Sequence, residues 1–219
     1  MISQCFAAFA RMPRNQVLSA LDHAWERLHD EKLGITYLMD PPFAPEENAG
    51  YIGAYLPGVR ENGGQYTHAV PWFMRALLQY GRRERAWQLL HEILPYNHAH
   101  DVRSVRHYRV EPYALPADVY RWGRGGWTWY TGSAAWLYDV FLRDFLGFDK
   151  RGDAVTLRPL VPENWEECTV LYHFGQSRYQ LTASREARFV TLDGERVRGD
   201  YVPLRDDGRA HEARFPMGE

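Results

Sequence analysis

Two glycine-rich loops hold the residue types that could do chemistry. The first reads Pro57-Gly58-Val59-Arg60-Glu61-Asn62-Gly63-Gly64-Gln65-Tyr66-Thr67-His68 and brings a carboxylate, an amide, a hydroxyl and an imidazole to the start of a helix. Glycines let backbone approach a ligand, and a helix start offers unpaired N–H groups at the positive end of its dipole. His68 is there a candidate anion ligand. A second reading stays open, in which Glu61, Asn62 and Thr67 cap the helix and His68 is a polar residue of its first turn.

The second loop, Trp127-Thr128-Trp129-Tyr130-Thr131-Gly132-Ser133, again places a hydroxyl and a glycine at a helix start, where backbone N–H groups can bind phosphate. Its alternative is a Thr131 or Ser133 cap with the tryptophans in the core. If one antiparallel helix separates the helices that open at Thr67 and Thr131, both starts point the same way and both loops can face one cavity. Between them, Glu111-Pro112-Tyr113 and Asp118 add carboxylates able to hydrogen-bond sugar hydroxyls, or else form a surface turn with Asp118 solvated. His98, His100, Asp101 and His107 match a metal cluster in type but no zinc spacing, so solvated loop histidines and no metal site are expected. Serine-hydrolase, P-loop and dinucleotide-binding motifs are absent.

The elements that must position these residues follow from periodicity. Val17, Leu18, Leu21, Trp25 and Leu28 mark an amphipathic helix from Asn15 to about Asp30. Residues 34 to 66 are punctuated by proline and glycine, which predicts a long structured loop. Helical spacing resumes from Thr67, with Gly81 as a C-terminal stop, and a second helix runs through Trp87, Leu90 and Leu94 to Pro95 as an antiparallel hairpin. A segment rich in His and Arg leads into the loop from Glu111 to Tyr130, and an apolar helix then runs from the Thr131-Gly132-Ser133 start to near Gly147. Beyond Gly152 the period becomes two, with turns at Gly175-Gln176 and Asp193-Gly194, which predicts a small antiparallel β module with a polar tail, residues 205 to 219, that frays. The expectation is a mainly α region over residues 1 to 150 and a β module over 151 to 219.

Composition narrows the classes. With 219 residues, 45% hydrophobic and a net charge of −2, the chain has enough apolar content for a core and no basic excess for nucleic acid. No apolar run approaches a membrane span, so no membrane contact is expected of this segment. Cys5 and Cys168 form neither a disulfide framework nor a ligand pair. Free thiols and an opening stretch that does not read as a signal peptide point to the cytoplasm, or to the cytoplasmic face of the inner membrane if the parent protein is membrane-anchored. The 14 Tyr, 10 Phe and 8 Trp suit either a core or a sugar-binding cleft.

Three ordered motifs, the 57 to 68 loop, Tyr108-Arg109-Val110-Glu111-Pro112-Tyr113, and Gly125-Gly126-Trp127-Thr128-Trp129-Tyr130-Thr131-Gly132-Ser133, resemble the C-terminal part of glycoside hydrolase family 94. The family includes cellobiose and chitobiose phosphorylases and the phosphorylase-like domain of cyclic β-1,2-glucan synthases. Asp40-Pro41-Pro42-Phe43 and Ala117 look closer to the glucan synthases. The resemblance implies an (α/α)6 barrel followed by a small β domain, and inverting phosphorolysis of a β-glucoside with inorganic phosphate as co-substrate and no other cofactor. It implies that His68, Thr131 and Gly132 hold phosphate, and that Glu61, with Arg60, Asn62, Gln65, Glu111, Tyr113 and Trp127, meets the β-glucan. The family's general acid belongs to a Gly-Asp-Trp-Asn-Asp-Gly motif that this sequence lacks and that is expected upstream of Met1. About four or five helices by pattern are too few for a whole barrel, so the expectation is its last third, inactive alone, with the missing N-terminal part as partner. A split phosphorylase and a non-catalytic sugar-binding or interaction module are the alternatives.

Overall fold

The computed structural model describes every residue except Tyr130, Thr131 and Glu219. The chain is mixed helix and sheet and divides into two compact units, Met1–Val140 and Phe141–Glu219.

In the first unit, α1 (Ile2–Phe9) is a short helix that buries Cys5 and Ala8. α2 (Arg14–Leu28) buries Val17, Leu21, Ala24 and Leu28, the spacing of one helix face, and stops where His29 turns extended. A two-residue hairpin follows, β1 (His29–Asp30) with β2 (Ile35–Thr36). The long loop predicted after Gly34 carries a 3-10 turn, Gly50–Ala54, and ends in β3 (Gln65–Tyr66).

α3 (Ala69–Gln79) is the centre of this unit: Ala69, Val70, Phe73, Met74, Ala76 and Leu77 are all buried, so it is covered on nearly every side. Its end is closed by Gly81 at φ 76°, with Arg82 N–H donating to Leu77 O at 2.8 Å, a left-handed stop that glycine adopts without strain. The chain then reverses into α4 (Arg83–Ile93). Asp22 of α2 pins that reversal by accepting from Arg82 Nη2 at 2.6 Å and from Arg85.

The segment rich in His and Arg contains α5 (Val102–Tyr108), which periodicity did not show because Val102 and Val105 are exposed. Its start is a reciprocal cap between Asp101 and Ser104. His98 Nε2 bonds Glu92 O at 2.7 Å and His107 Nε2 bonds Trp122 O at 2.6 Å; among the described residues no group of His, Cys, Asp and Glu could hold a metal. β4 (Asp118–Val119) precedes α6 (Ser133–Val140).

α6 runs parallel to α3, and the residue numbers prove it. His68 meets Gly132, Trp72 meets Trp136 with rings 5.5 Å apart, and Arg75 pairs with Asp139 at 2.6 Å. Each pair is separated by the same 64 residues. A constant difference means parallel chains; antiparallel helices would hold the sum constant. No described helix is long and apolar enough to cross a membrane.

The second unit opens with a π-type turn, Phe141–Phe145, and carries β5 (Phe148–Arg151), β6 (Ala154–Leu157), β7 (Glu167–Phe174), β8 (Ser177–Ser184), β9 (Thr191–Leu192), β10 (Glu195–Arg196), β11 (Val202–Pro203) and β12 (Ala210–Pro216). They form a three-stranded sheet, β11-β6-β5, and a five-stranded sheet, β10-β9-β12-β8-β7. Tyr179, Leu181, Ala183, Val155, Leu157, Ala213 and Phe215 make their core. Asp193 (φ 51°) and Gly194 (φ 83°) form the expected two-residue turn between β9 and β10.

Two expectations for this unit are corrected. Part of the expected fraying tail is β12, the middle strand of the larger sheet, because Ala213 and Phe215 alternate inward and both its edges are hydrogen-bonded. The module is also not wholly antiparallel, since β12 runs parallel to β8 along its whole length. Phe215→Ala is therefore expected to cost about 3–5 kcal/mol, read as a fall in the urea midpoint of unfolding.

His211 of β12 bridges two carboxylates, Asp193 Oδ2 at 2.8 Å and Asp207 Oδ1 at 3.1 Å, and stacks on Tyr179. The bond to Asp193, with Asp207 adding to it, raises the imidazole pKa, while both carboxyls sit below their ordinary range and stay ionised. A cation so favoured in the fold stabilises it below the unfolded pKa, and that gain disappears as pH rises through the raised native value. Between pH about 6 and 8, the thermal midpoint of wild type should therefore fall further than that of His211→Asn.

Candidate functional site

The two glycine-rich loops are joined by backbone. β3 of the first pairs with β4 beside the second, Gln65 opposite Val119 and Tyr66 opposite Asp118, and Thr67 N–H donates to Ala117 O at 3.1 Å. The second loop folds back on itself, with bridges from Pro116 to Thr128 and from Val119 to Gly125. Its glycines permit the closeness: a methyl group on Gly126 would collide with the Asp118 carboxylate, and one on Gly132 would lie 3.0 Å from His68 Cε1.

Arg60, Tyr66, His68, Ala117, Trp127, Trp129 and Gly132 line a cavity of about 500 Å³, within the range of small-molecule sites. His68 is the N-cap residue of α3 and Gly132 directly precedes α6, so the cavity lies against the starts of two parallel helices. The imidazole is wedged between Tyr66 and Trp72, the latter edge-on at 4.7 Å. Burial lowers its pKa, so at neutral pH it is an uncharged ring with one N–H to donate. The Arg60 guanidinium lies 4.6 Å from the Trp127 ring and 4.6 Å from the Tyr55 ring, and its Nε is 3.4 Å from Glu61 Oε2. The site thus offers a cation, a neutral imidazole and aromatic faces around one void.

The sequence candidates divide accordingly. His68, Gly132, Arg60 and Trp127 share the cavity, and Glu61 sits behind Arg60. Thr131 lies outside the described residues. Asn62 and Gln65 are buried and spend their amides on neighbouring backbone. Asn62 accepts from Phe43 N–H at 2.7 Å and donates to Tyr55 O at 2.9 Å, and Gln65 accepts from Thr36 N–H at 2.8 Å. They hold the loop rather than line the void. Glu111 and Tyr113 border an adjacent groove, where Glu111 accepts from the Thr128 hydroxyl, a bond that lowers its pKa. Tyr66, Trp129 and Tyr55 were not singled out by sequence reasoning; the aromatic content was the only signal, and it does not distinguish a wall from a core.

The family model described as Glycosyl hydrolase 94 superfamily, catalytic domain, matches residues 3–147. The chain belongs to the glycosyl hydrolase 94 superfamily. Among curated relatives, the cyclic beta-(1,2)-glucan synthase NdvB of Rhizobium meliloti (strain 1021) is 41% identical over 80% of this chain and 6% of its own length. Solabiose phosphorylase of Paenibacillus borealis is 32% identical over 86% of this chain and 26% of its own, and N,N'-diacetylchitobiose phosphorylase of Vibrio furnissii is 26% identical over 83% and 24%. The chain thus spans about a quarter or less of the relatives it matches. Both glycine-rich loops lie inside the matched catalytic-domain region of this family member.

Asp118 is not the solvated turn residue that one reading allowed: it is fully buried, and neither carboxylate oxygen has a hydrogen-bond partner of good geometry. Burial pushes its pKa up to about 6, against the charge and backbone N–H of Arg60 and with the repulsion of Glu61. An acid whose native pKa is raised costs the fold stability progressively as pH rises from its unfolded pKa to its native one, and the full cost stands above that. Asp118→Asn should therefore stabilise the chain at pH 7 by about 1–3 kcal/mol and flatten the fall in stability between pH about 4 and 6, measured by urea unfolding across that range.

Proposed function

We propose that this chain forms the phosphate-binding and part of the sugar-binding wall in an inverting β-glucan phosphorylase, or in the glucan-transferring domain of a cyclic β-1,2-glucan synthase. The observation that carries this reading is the contact of His68 with Gly132 at two parallel helix starts bordering one cavity, together with Arg60 and Trp127 on its rim. Helix starts stabilise anions through free N–H groups and their dipoles, and an aromatic wall with a polar end suits a pyranose ring. The names of the relatives, a glucan synthase and two phosphorylases, fit a site for sugar and phosphate together.

In this reading His68, Gly132 and Thr131 hold inorganic phosphate, while Arg60, Glu61 and Trp127 meet the sugar being transferred. A phosphate oxygen attacks the anomeric carbon from the face opposite the glycosidic oxygen, the carbon–oxygen bond breaks with inversion, and glucose 1-phosphate forms. The leaving oxygen takes its proton from an aspartic acid outside this chain. Phosphate arrives ionised, so the wall must supply donors rather than a base. The neutral His68 serves that need, and an anion beside it raises its pKa toward the charged form. The helices α1, α3 and α6, with α2 and α4 packed behind, make up the last part of an (α/α)6 barrel, and the N-terminal part of that barrel is the partner that brings the acid. The reaction needs no cofactor beyond phosphate and runs in the cytoplasm.

Titration calorimetry with inorganic phosphate tests the wall directly. Wild type should bind, and His68→Ala should bind about tenfold more weakly, the scale of one hydrogen bond to a charged group. Equal affinity in the two proteins would sink the phosphate reading. The chain alone should release no glucose 1-phosphate from β-1,2-glucans.

A further inference from the structure

Asp118 is a buried carboxylate at the seam of the two loops. Neighbouring side chains of an extended segment point to opposite faces, so Ala117 lines the cavity while Asp118 turns inward, with none of its surface exposed. Tyr66 stands opposite it on β3, and Gly126 lies so close that a methyl group there would collide with Oδ1. Neither carboxylate oxygen has a hydrogen-bond partner of good geometry. A group that opposes folding, yet has a space shaped around it, calls for a neighbour on which it acts.

That neighbour is Arg60. Its φ of 51° is left-handed, a conformation that a residue with a side chain rarely adopts. In it Arg60 presents both its backbone N–H and its positive charge to the Asp118 carboxylate, and its guanidinium rests between the Tyr55 and Trp127 rings at the cavity border. Trp127 and Trp129 form the wall between this cavity and the adjacent groove. The charges that act on Asp118 are those of Arg60 and Glu61, while burial keeps Tyr66 a neutral phenol. One cation thus faces two carboxylates, with Glu61 Oε2 3.4 Å from Arg60 Nε. An anion held by His68 and Gly132 in the same cavity is a third negative charge that draws on the guanidinium. Out of water, such a surplus is relieved by protonating the most deeply buried carboxyl. Asp118 is that carboxyl, since Glu61 keeps 17% of its side chain exposed.

We propose that Asp118 is a positioning residue, which holds Arg60 in its left-handed conformation at the cavity border and takes a proton from solvent when an anion occupies the cavity. The inference rests on reading the cavity as an anion site. With the cavity empty, the ionised carboxylate balances the guanidinium. With an anion present, the proton on Asp118 removes that competition and leaves the cation to the ligand. The proton passes from buffer to an Asp118 oxygen, and no covalent bond of the ligand changes.

Titration calorimetry of the full chain with sulfate at pH about 6.5, in two buffers of different ionisation enthalpy, counts the protons bound with the anion. Sulfate is fully ionised there and contributes none itself. A tenfold gain in the proton affinity of a group whose pKa is about 6 binds about half a proton at that pH. Asp118→Asn should therefore take up about half a proton less per sulfate than wild type, a difference that a carboxyl with a merely structural role would not produce. His68 adds its own share in both proteins, so the difference belongs to Asp118. An infrared difference spectrum of wild type with and without sulfate should gain a protonated-carboxyl band, which Asp118→Asn should lack. Equal proton uptake in the two proteins, no such band in wild type, or a band that survives in Asp118→Asn would overturn the role of Asp118. Those same results with sulfate affinity lowered in His68→Ala leave the anion reading of the cavity standing. No sulfate binding by wild type overturns that reading and this proposal with it.

Discussion

The parallel packing of α3 on α6 is the constraint from which the site follows. Parallel neighbours cannot be joined by a short turn; the chain must travel the length of a helix to start again at the same end. Here α4 makes that return trip, and the loop rich in aromatics and glycine completes it. The result is that two helix starts, 64 residues apart in sequence, sit side by side with their positive dipole ends facing one void. Gly132 makes the approach possible, because a side chain there would press on the His68 ring. Trp72 on Trp136 and Arg75 with Asp139 repeat the contact one and two turns further along, and so lock the register.

A second tie acts at right angles to the helices. The short pairing of β3 with β4 binds the two loops by backbone, so their relative position does not depend on flexible side chains. Asn62 and Gln65 extend that frame, their amides fastened to Phe43, Tyr55 and Thr36. Asp118 is held in that frame without such partners for its own carboxylate oxygens. A buried carboxyl without good partners opposes folding, and it lies beside Arg60, the cation at the cavity rim. Unfavourable local terms of this kind are commonest at sites selected for something other than stability.

Much of this was legible from residue order. The helices α2, α3 and α4 announce themselves by burial at three- and four-residue spacing, and the Asp193-Gly194 turn by residue types that favour its left-handed dihedrals. α5 was not legible, because its valines face solvent and its stability rests on a reciprocal cap that periodicity does not register. β12 was missed for a related reason: five of its seven residues are not buried, and only Ala213 and Phe215 reveal an inward face. Its place in the middle of a sheet depends on strands more than twenty residues away.

The sequence by itself determined the chemistry on offer: an imidazole, an arginine, carboxylates, and two glycine-rich helix starts, in motifs ordered enough to mark the family. Residue type and local spacing settle such matters because caps, turns and helix faces are interactions over a few residues. Only the tertiary structure decided which of those groups share a void, which are spent on holding loops, and that Trp127 and Trp129 stand between two spaces instead of inside a core. Those outcomes rest on contacts between residues far apart in the chain. Nothing in local spacing distinguishes a tryptophan that fills a core from one that lines a wall.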